Sequence, residues 1–233
     1  MTILLYILAV LPGLVISYFI YRADLYEKES KPLLLVCFAL GALVTYPAIL
    51  MEGYAETLGW GNSRNFFKVF FFALLFVGLL EEFFKMVCLI LPYFRKEFNE
   101  PFDGIVYAVM IAMGFATLEN IIYANYYGIQ TALLRIFTAV PAHGAFAVMV
   151  GYYVGLSKEA KKEKPWILIL RGLGLTSFLH GLYDFFIIQP YAEWLMSLAT
   201  LVLIFCLYLS YKMIKALQTA SPFHPDKIKK ENN

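Results

Sequence analysis

Residues 66–91 read FFKVFFFALLFVGLLEEFFKMVCLIL. Such a run exceeds the roughly 20 apolar residues that carry an α-helix across a hydrocarbon core. Yet it holds Glu81, Glu82 and Lys85 well inside its length. An ionisable side chain at that depth costs about 2.5 to 3.5 kcal/mol on insertion scales, so three of them persist only on a face turned toward a polar or wet interior. At about 100° per residue, Glu81 and Lys85 stand about 40° apart, with Glu82 about 60° to the other side of Lys85, an arc of about 100° in all. The stretch predicts a membrane helix with one charged face, in a bundle that must supply partners for it.

The rest of the chain agrees. Of its 233 residues, 61% are hydrophobic and 15% charged. A water-soluble surface needs about 25 to 35% charged positions, so lipid is the expected solvent. A net charge of +2, with no basic cluster on one face, excludes nucleic acid as a partner class. Cys37, Cys88 and Cys206 are odd in number, far apart and set in apolar runs, which points to buried small hydrophobes rather than disulfides or a thiolate metal site. Residues 1–22, MTILLYILAVLPGLVISYFIYR, lack a basic leader and a small-residue cleavage site and are long enough to span, so they are read as a retained first helix.

Seven apolar stretches of spanning length are expected: residues 3–21, 32–51, 66–91, 104–124, 132–156, 166–188 and 193–214. Their connections are too short to hide a soluble domain. Lys and Arg fall in alternate connections: Arg22, Lys28 and Lys31; Arg95 and Lys96; Lys158, Lys161, Lys162 and Lys164; then Lys212, Lys215, Lys227, Lys229 and Lys230. The other side receives only Arg64 and Arg135. The positive-inside rule then predicts an all-α polytopic membrane helical bundle of about seven transmembrane helices, N-terminus outside and C-terminus cytoplasmic. Residues 1–220 form one transmembrane domain, and 221–233, SPFHPDKIKKENN, a polar cytoplasmic tail.

Further ionisable groups lie in other spans. Glu119 and Asn120 occur in GFATLEN, His143 in PAHG, and His180 and Asp184 in LHGLYDF. His180 and Asp184 are four residues apart, so the carboxylate can orient the imidazole by accepting its ring proton. From the 1.5 Å rise, Asp184 lies about 6 Å below the outer surface, Glu119 about 8 Å, His180 about 12 Å, His143 about 15 Å and Glu81 about 20 Å, which places them around one cavity opening away from the cytoplasm. A carboxylate in a low-dielectric pocket beside imidazoles suits water activation and oxyanion stabilisation. The alternatives are an ion pair fixing helix packing for Glu81, Glu82 and Lys85, an interhelical hydrogen bond for His180, a kink-satisfying group after Pro141 for His143, and interhelical contacts for Glu119 and Asn120. Gly151 and Gly155 form a GxxxG that supports close helix packing. Glu81, His143 and His180 would supply a zinc ligand set of two imidazoles and one carboxylate. They come from three separate spans with no HExxH spacing, so no cofactor is expected and zinc is kept as a minority reading.

The EExxK run at Glu81, Glu82 and Lys85, the FDGIVYA segment at Phe102–Ala108, GFATLEN at Gly114–Asn120, PAHG at His143 and LHGLYDF at His180–Asp184 resemble the PrsW family of bacterial membrane proteases, in the wider group of the CAAX prenyl endopeptidases. The resemblance runs over nearly the whole chain, with the motifs in the family's order. It implies a glutamate-type intramembrane endopeptidase of the bacterial cytoplasmic membrane. This enzyme would make the first, site-1 cut in a single-pass anti-sigma factor and so start sigma-factor release for a stress response. By the same resemblance Glu81 activates water, and Glu82 assists or bonds Lys85. His180 holds the water or donates to the oxyanion, His143 is the second imidazole, and Glu119 and Asn120 support. Asp184 stands where the prenyl endopeptidases tend to carry Asn, and it either donates to an oxyanion or only orients His180. The alternative function is a proton-coupled membrane transporter using the same buried Glu and His groups, although the internal repeat usual in carriers is not visible.

Overall fold

A computed structural model describes residues 2–161 and 163–227, and among the described residues there are helices and loops but no strand. In chain order these are α1 (Thr2–Ala23), α2 (Lys31–Thr57), α3 (Phe66–Phe71), a π-helical segment (Phe72–Leu79), α4 (Leu80–Tyr93), α5 (Pro101–Tyr127), α6 (Ile129–Phe137), α7 (Ala139–Lys158), α8 (Pro165–Ile188) and α9 (Met196–Ala220). Six stretches have the length and apolar composition to cross a membrane: α1, α2, α5, α6 with α7, α8, and α9. The third expected span, 66–91, is present as α3, the π segment and α4 in unbroken succession, so it is divided by a change of helix type. Large apolar side chains such as Leu43, Phe67 and Leu201 point outward. That surface is stable against lipid and untenable in water. The chain is a multi-pass helical membrane protein.

The centre of the bundle is α5. Its spanning window is 83% buried, against 22% for α1 and α9, which face lipid. It packs most extensively on α7 and α2. The expected close packing of the GxxxG is present. A Cβ added at Gly155 would lie 1.9 Å from the Pro101 carbonyl oxygen, and one at Gly151 2.4 Å from that of Gly104. Only hydrogen at those positions lets the two backbones touch. α5 starts firmly: Pro101 sits in its first turn, and the Asp103 carboxylate accepts from the backbone N–H groups of Asn99 (2.7 Å) and Glu100 (2.8 Å). Gly128, at φ +83°, turns the chain into α6.

Residues 132–156 are not one uninterrupted span. The helix breaks at Thr138 (φ −122°, ψ −84°), between α6 and α7. Pro141 therefore occupies the first turn of α7, where its missing N–H costs no hydrogen bond, and it produces no kink. Lys162 of the basic loop, and Lys229 and Lys230 of the tail, lie outside the described residues.

At the basic end of the bundle, the loop after α1 buries Asp24. Neither carboxyl oxygen has a hydrogen-bond partner among the described residues. Burial pushes its pKa up from 3.8 to about 7, with the neighbouring Glu100 and Asp103 adding to the rise and Lys28 opposing it. The folded chain thus keeps a proton that the unfolded chain releases above pH 3.8, and stability should fall as pH rises from there toward 7. Asp24→Asn should flatten this dependence and raise the thermal unfolding midpoint at pH 8, as read by intrinsic fluorescence in detergent. A wild-type midpoint that climbs between pH 5 and 8, with the variant parallel to it, would contradict the assignment.

Candidate active site

The site begins with two backbones in contact. A Cβ at Gly78, in the π segment, would lie 2.5 Å from the Ser177 carbonyl oxygen of α8, and one at Gly181 would lie 2.6 Å from the Leu74 Cα. The π segment and α8 therefore touch without intervening side chains just before Glu81 and just after His180. This approach brings the two motifs into bonding range. The i→i+5 bonds of the π segment also admit one residue more per turn than an α-helix, so the charged face of α4 is rotated relative to α3.

Glu81, Glu82, Lys85, His143 and His180 are between 2 and 5% exposed. The Lys85 ammonium donates to Glu82 Oε1 (2.8 Å) and to Glu81 Oε2 (3.1 Å), and lies 3.1 Å from His143 Nδ1 and 4.3 Å over the Phe115 ring. An ammonium has no lone pair, so His143 Nδ1 must be the acceptor. The ring proton of His143 is then on Nε2 and is donated to Glu119 Oε2 at 2.9 Å. His180 Nδ1 bonds Glu82 Oε1 at 2.9 Å, while its Nε2 lies 3.0 Å from Asp184 Oδ2. The His180 ring stacks on Phe146 at 4.6 Å, which fixes its plane. Glu81 Oε2 faces the inner nitrogens of both rings, 3.9 Å from His143 Nδ1 and 3.8 Å from His180 Nε2.

All eight residues singled out from sequence belong to this region, in distinct positions. Glu81, Glu82, Lys85, His143 and His180 form its floor. Glu119 is a direct partner of His143, whereas Asp184 is half-buried beside His180. Asn120 does not reach the floor: it donates to the Ala9 carbonyl (3.1 Å) and accepts from Arg135 Nε (3.0 Å), tying α1, α5 and α6 together. Sequence reasoning placed Arg135 in an outer connection. It is instead an inner residue of α6, paired with Glu119 Oε2 at 2.7 Å and lying 4.2 Å over the Tyr123 ring. It also passed over Glu52 and Glu56 of α2. The signal that could have found them is their spacing of four on one helix face.

A cavity of about 290 Å³ rises from this floor. Glu81, His143 and His180 line it, together with Glu52, Glu56 and Arg135. That volume holds several waters. It lies at the end of the bundle where α2 and α8 finish and α6 begins, opposite the connections rich in Lys and Arg.

One oxygen of Glu81 and one nitrogen from each of His143 and His180 lie within 4.8 Å of one another and could hold a metal ion. Ligands about 2.0 to 2.1 Å from zinc in a tetrahedron stand about 3.4 Å apart, close to the separations from Glu81. Each imidazole also turns its outer nitrogen to a carboxylate, His143 to Glu119 and His180 to Glu82. That outer partner fixes tautomer and ring orientation in metal-binding histidines. The donor set fits zinc.

A family model described as PrsW family intramembrane metalloprotease matches residues 29–211. Among curated proteins, the chain is 37% identical over 180 residues to "Protease PrsW" of Geobacillus kaustophilus, covering 77% of each chain. It is 34% identical over 208 residues to the protein of that name from Oceanobacillus iheyensis (88% of this chain, 92% of the other). With that of Bacillus subtilis it shares 32% over 187 residues (79% and 82%). No solved structure matches.

The backbone contact at Gly181 yields a direct check. Gly181→Ala places a methyl against Leu74, pushing α8 from the π segment and opening the Glu82–His180 bond. Overpacking of this kind costs about 1 to 3 kcal/mol of stability, whereas misplacing a reacting group by about 1 Å costs about 10²-fold in rate. Proteolysis by the folded, membrane-inserted variant should fall by that factor. Full activity would show that the approach of the two backbones does not set the site.

Proposed function

The chain belongs to the PrsW family of intramembrane proteases, and from that premise we propose that it makes the first, extracytoplasmic-side cut in a membrane-anchored anti-sigma factor, starting the proteolysis that frees a sigma factor for a stress response. The family makes it a peptidase of the bacterial cell membrane acting on membrane proteins. Family membership favours this over the proton-coupled transporter. The extracytoplasmic side follows from the positive-inside rule, because the cavity lies opposite the basic connections.

The observation that carries the chemistry is the position of Glu81 Oε2, facing the inner nitrogens of both imidazoles at 3.8 and 3.9 Å on the floor of a cavity with room for several waters. A water held there is within reach of all three groups. Glu81 takes its proton as the water oxygen attacks the peptide carbonyl carbon, and the negative charge moves to the carbonyl oxygen. His180 stands where a donor to that oxyanion is needed, whereas His143 Nδ1, an acceptor, can only receive a hydrogen bond from the attacking water. As the carbon–nitrogen bond breaks, the departing amine takes the proton held by Glu81, so proton and electron pair are both accounted for. Glu82 and Glu119 hold the two rings, and Lys85 keeps the paired glutamates from repelling each other. Asp184, an acceptor when ionised, orients His180.

A second reading has its own support in the carboxylates behind each imidazole. Here Glu81, His143 and His180 would hold zinc, which would supply a more acidic water and Lewis-acid polarisation of the carbonyl. Glu82 and Glu119 would then hold the rings from outside, while Lys85 would have to leave His143 Nδ1 and Asp184 leave His180 Nε2 for those nitrogens to ligate.

Purified protein reconstituted with single-pass anti-sigma-factor reporters tests both readings, with the cut position read by mass spectrometry. Glu81→Gln and His180→Ala should each remain inserted and lose at least about 10²-fold in cleavage rate. Wild-type rates in both variants would end the proposal. A chelator separates the two: cleavage indifferent to it supports Glu81 acting on water unaided, whereas cleavage lost to the chelator and restored by added zinc supports the second reading.

A further inference from the structure

Two acidic side chains in the cavity have no task in the chemistry above. Glu52 and Glu56 stand four residues apart on α2 and both line the cavity, Glu52 inward and Glu56 exposed at its mouth. Glu52 Oε1 is buried without a hydrogen-bond partner among the described residues. Glu81, Glu119 and Asp184, all acidic, line the same cavity, with His180 beside them. The cations nearby are committed elsewhere: Lys85 to Glu81 and Glu82, Arg135 to Glu119, and His180 between Glu82 and Asp184. Like charges four apart on a helix repel, and a carboxylate at membrane depth without a counter-ion is costly. The free chain therefore leaves a buried acid unpartnered in the cavity, and a cation entering beside it would supply both hydrogen-bond donors and a counter-charge.

We propose that Glu52 and Glu56 form a subsite for a Lys or Arg side chain of the substrate, in the segment lying beside the scissile bond. The inference rests on the protease reading and adds the chemistry of the substrate it selects. A long basic side chain suits the place, because its aliphatic stem can lie on Phe72 and Val77, which line the same cavity, while its head reaches Glu52. A substrate acid at that position meets two carboxylates in a low-dielectric space, so the subsite discriminates by repulsion as well as attraction. The residue does not touch the reacting atoms; it fixes which stretch of substrate lies over Glu81.

The test is a series of single-pass reporters identical except for one extracytoplasmic juxtamembrane position, stepped along the segment and filled by Lys, Ala or Glu. Each is reconstituted with the purified full chain. The expected result is one or two positions at which the wild-type chain cuts the Lys reporter at least tenfold more efficiently than the Glu reporter. There Glu52→Gln and Glu56→Gln should each bring the ratio toward one, and Glu52→Lys should reverse it. Equal cleavage of Lys and Glu reporters at every position by the wild-type chain would overturn the subsite without reference to any variant. A preference left intact by both Gln substitutions would overturn it as well. A wild-type chain that cut none of the reporters would bring down the protease reading itself, and the subsite with it.

Discussion

Everything at the core of this bundle is governed by the cost of holding charge in hydrocarbon. No single pairing meets it; a closed set does. Lys85 reaches Glu81, Glu82 and His143, Glu82 passes the connection to His180, and His143 passes it to Glu119 and thence to Arg135. The set links α4, α5, α6, α7 and α8. Removing one member leaves another charge buried and alone, which costs far more than an intact pair contributes. The same network that makes the site therefore specifies how the helices are assembled around it.

Much of this was legible because helical spacing is rigid. Three ionisable groups within five residues of an apolar run could only form one face, and α4 presents them as one. The spacing of four between His180 and Asp184 puts the carboxylate 3.0 Å from Nε2. The proton of Nδ1, however, goes to Glu82 on another helix, a partner that spacing along one chain cannot reveal. Depth counting gathered the right helices around a cavity at the correct end, yet it placed Glu119 too close to the surface to distinguish a site partner from an interhelical contact. The bond from His143 Nε2 decides that question.

What stayed hidden has a common cause. Glu52, Glu56 and Arg135 lie near the ends of helices, where charged residues ordinarily meet water, and nothing in a linear pattern says that the bundle closes over them. Arg135 was further disguised by the break at Thr138, since a single span over 132–156 leaves no room for the short helix that carries Arg135 inward. The π segment was equally silent. Its sequence, FALLFVGL, is as apolar as any transmembrane helix, and its register is set by the contact of Gly78 with α8.

That π segment explains how a site with so many opposed charges can be held still. Wide i→i+5 turns are poorer than α-helical ones and persist where neighbouring structure over-determines them. Here the determinant is the backbone contact of Gly78 and Leu74 with Ser177 and Gly181, beside the bond from Glu82 to His180. Rigid backbone contact fixes the imidazole and carboxylates before a substrate arrives, so little reorganisation is needed when charge develops on the peptide carbonyl. Flexible side chains in the same place would let the acids drift toward Lys85 or toward water, and the hydrolytic geometry would be lost although every pair remained satisfied. The glycines thus matter to the chemistry as much as the acids do, because they remove the freedom by which the network could relax into an inert set of ion pairs.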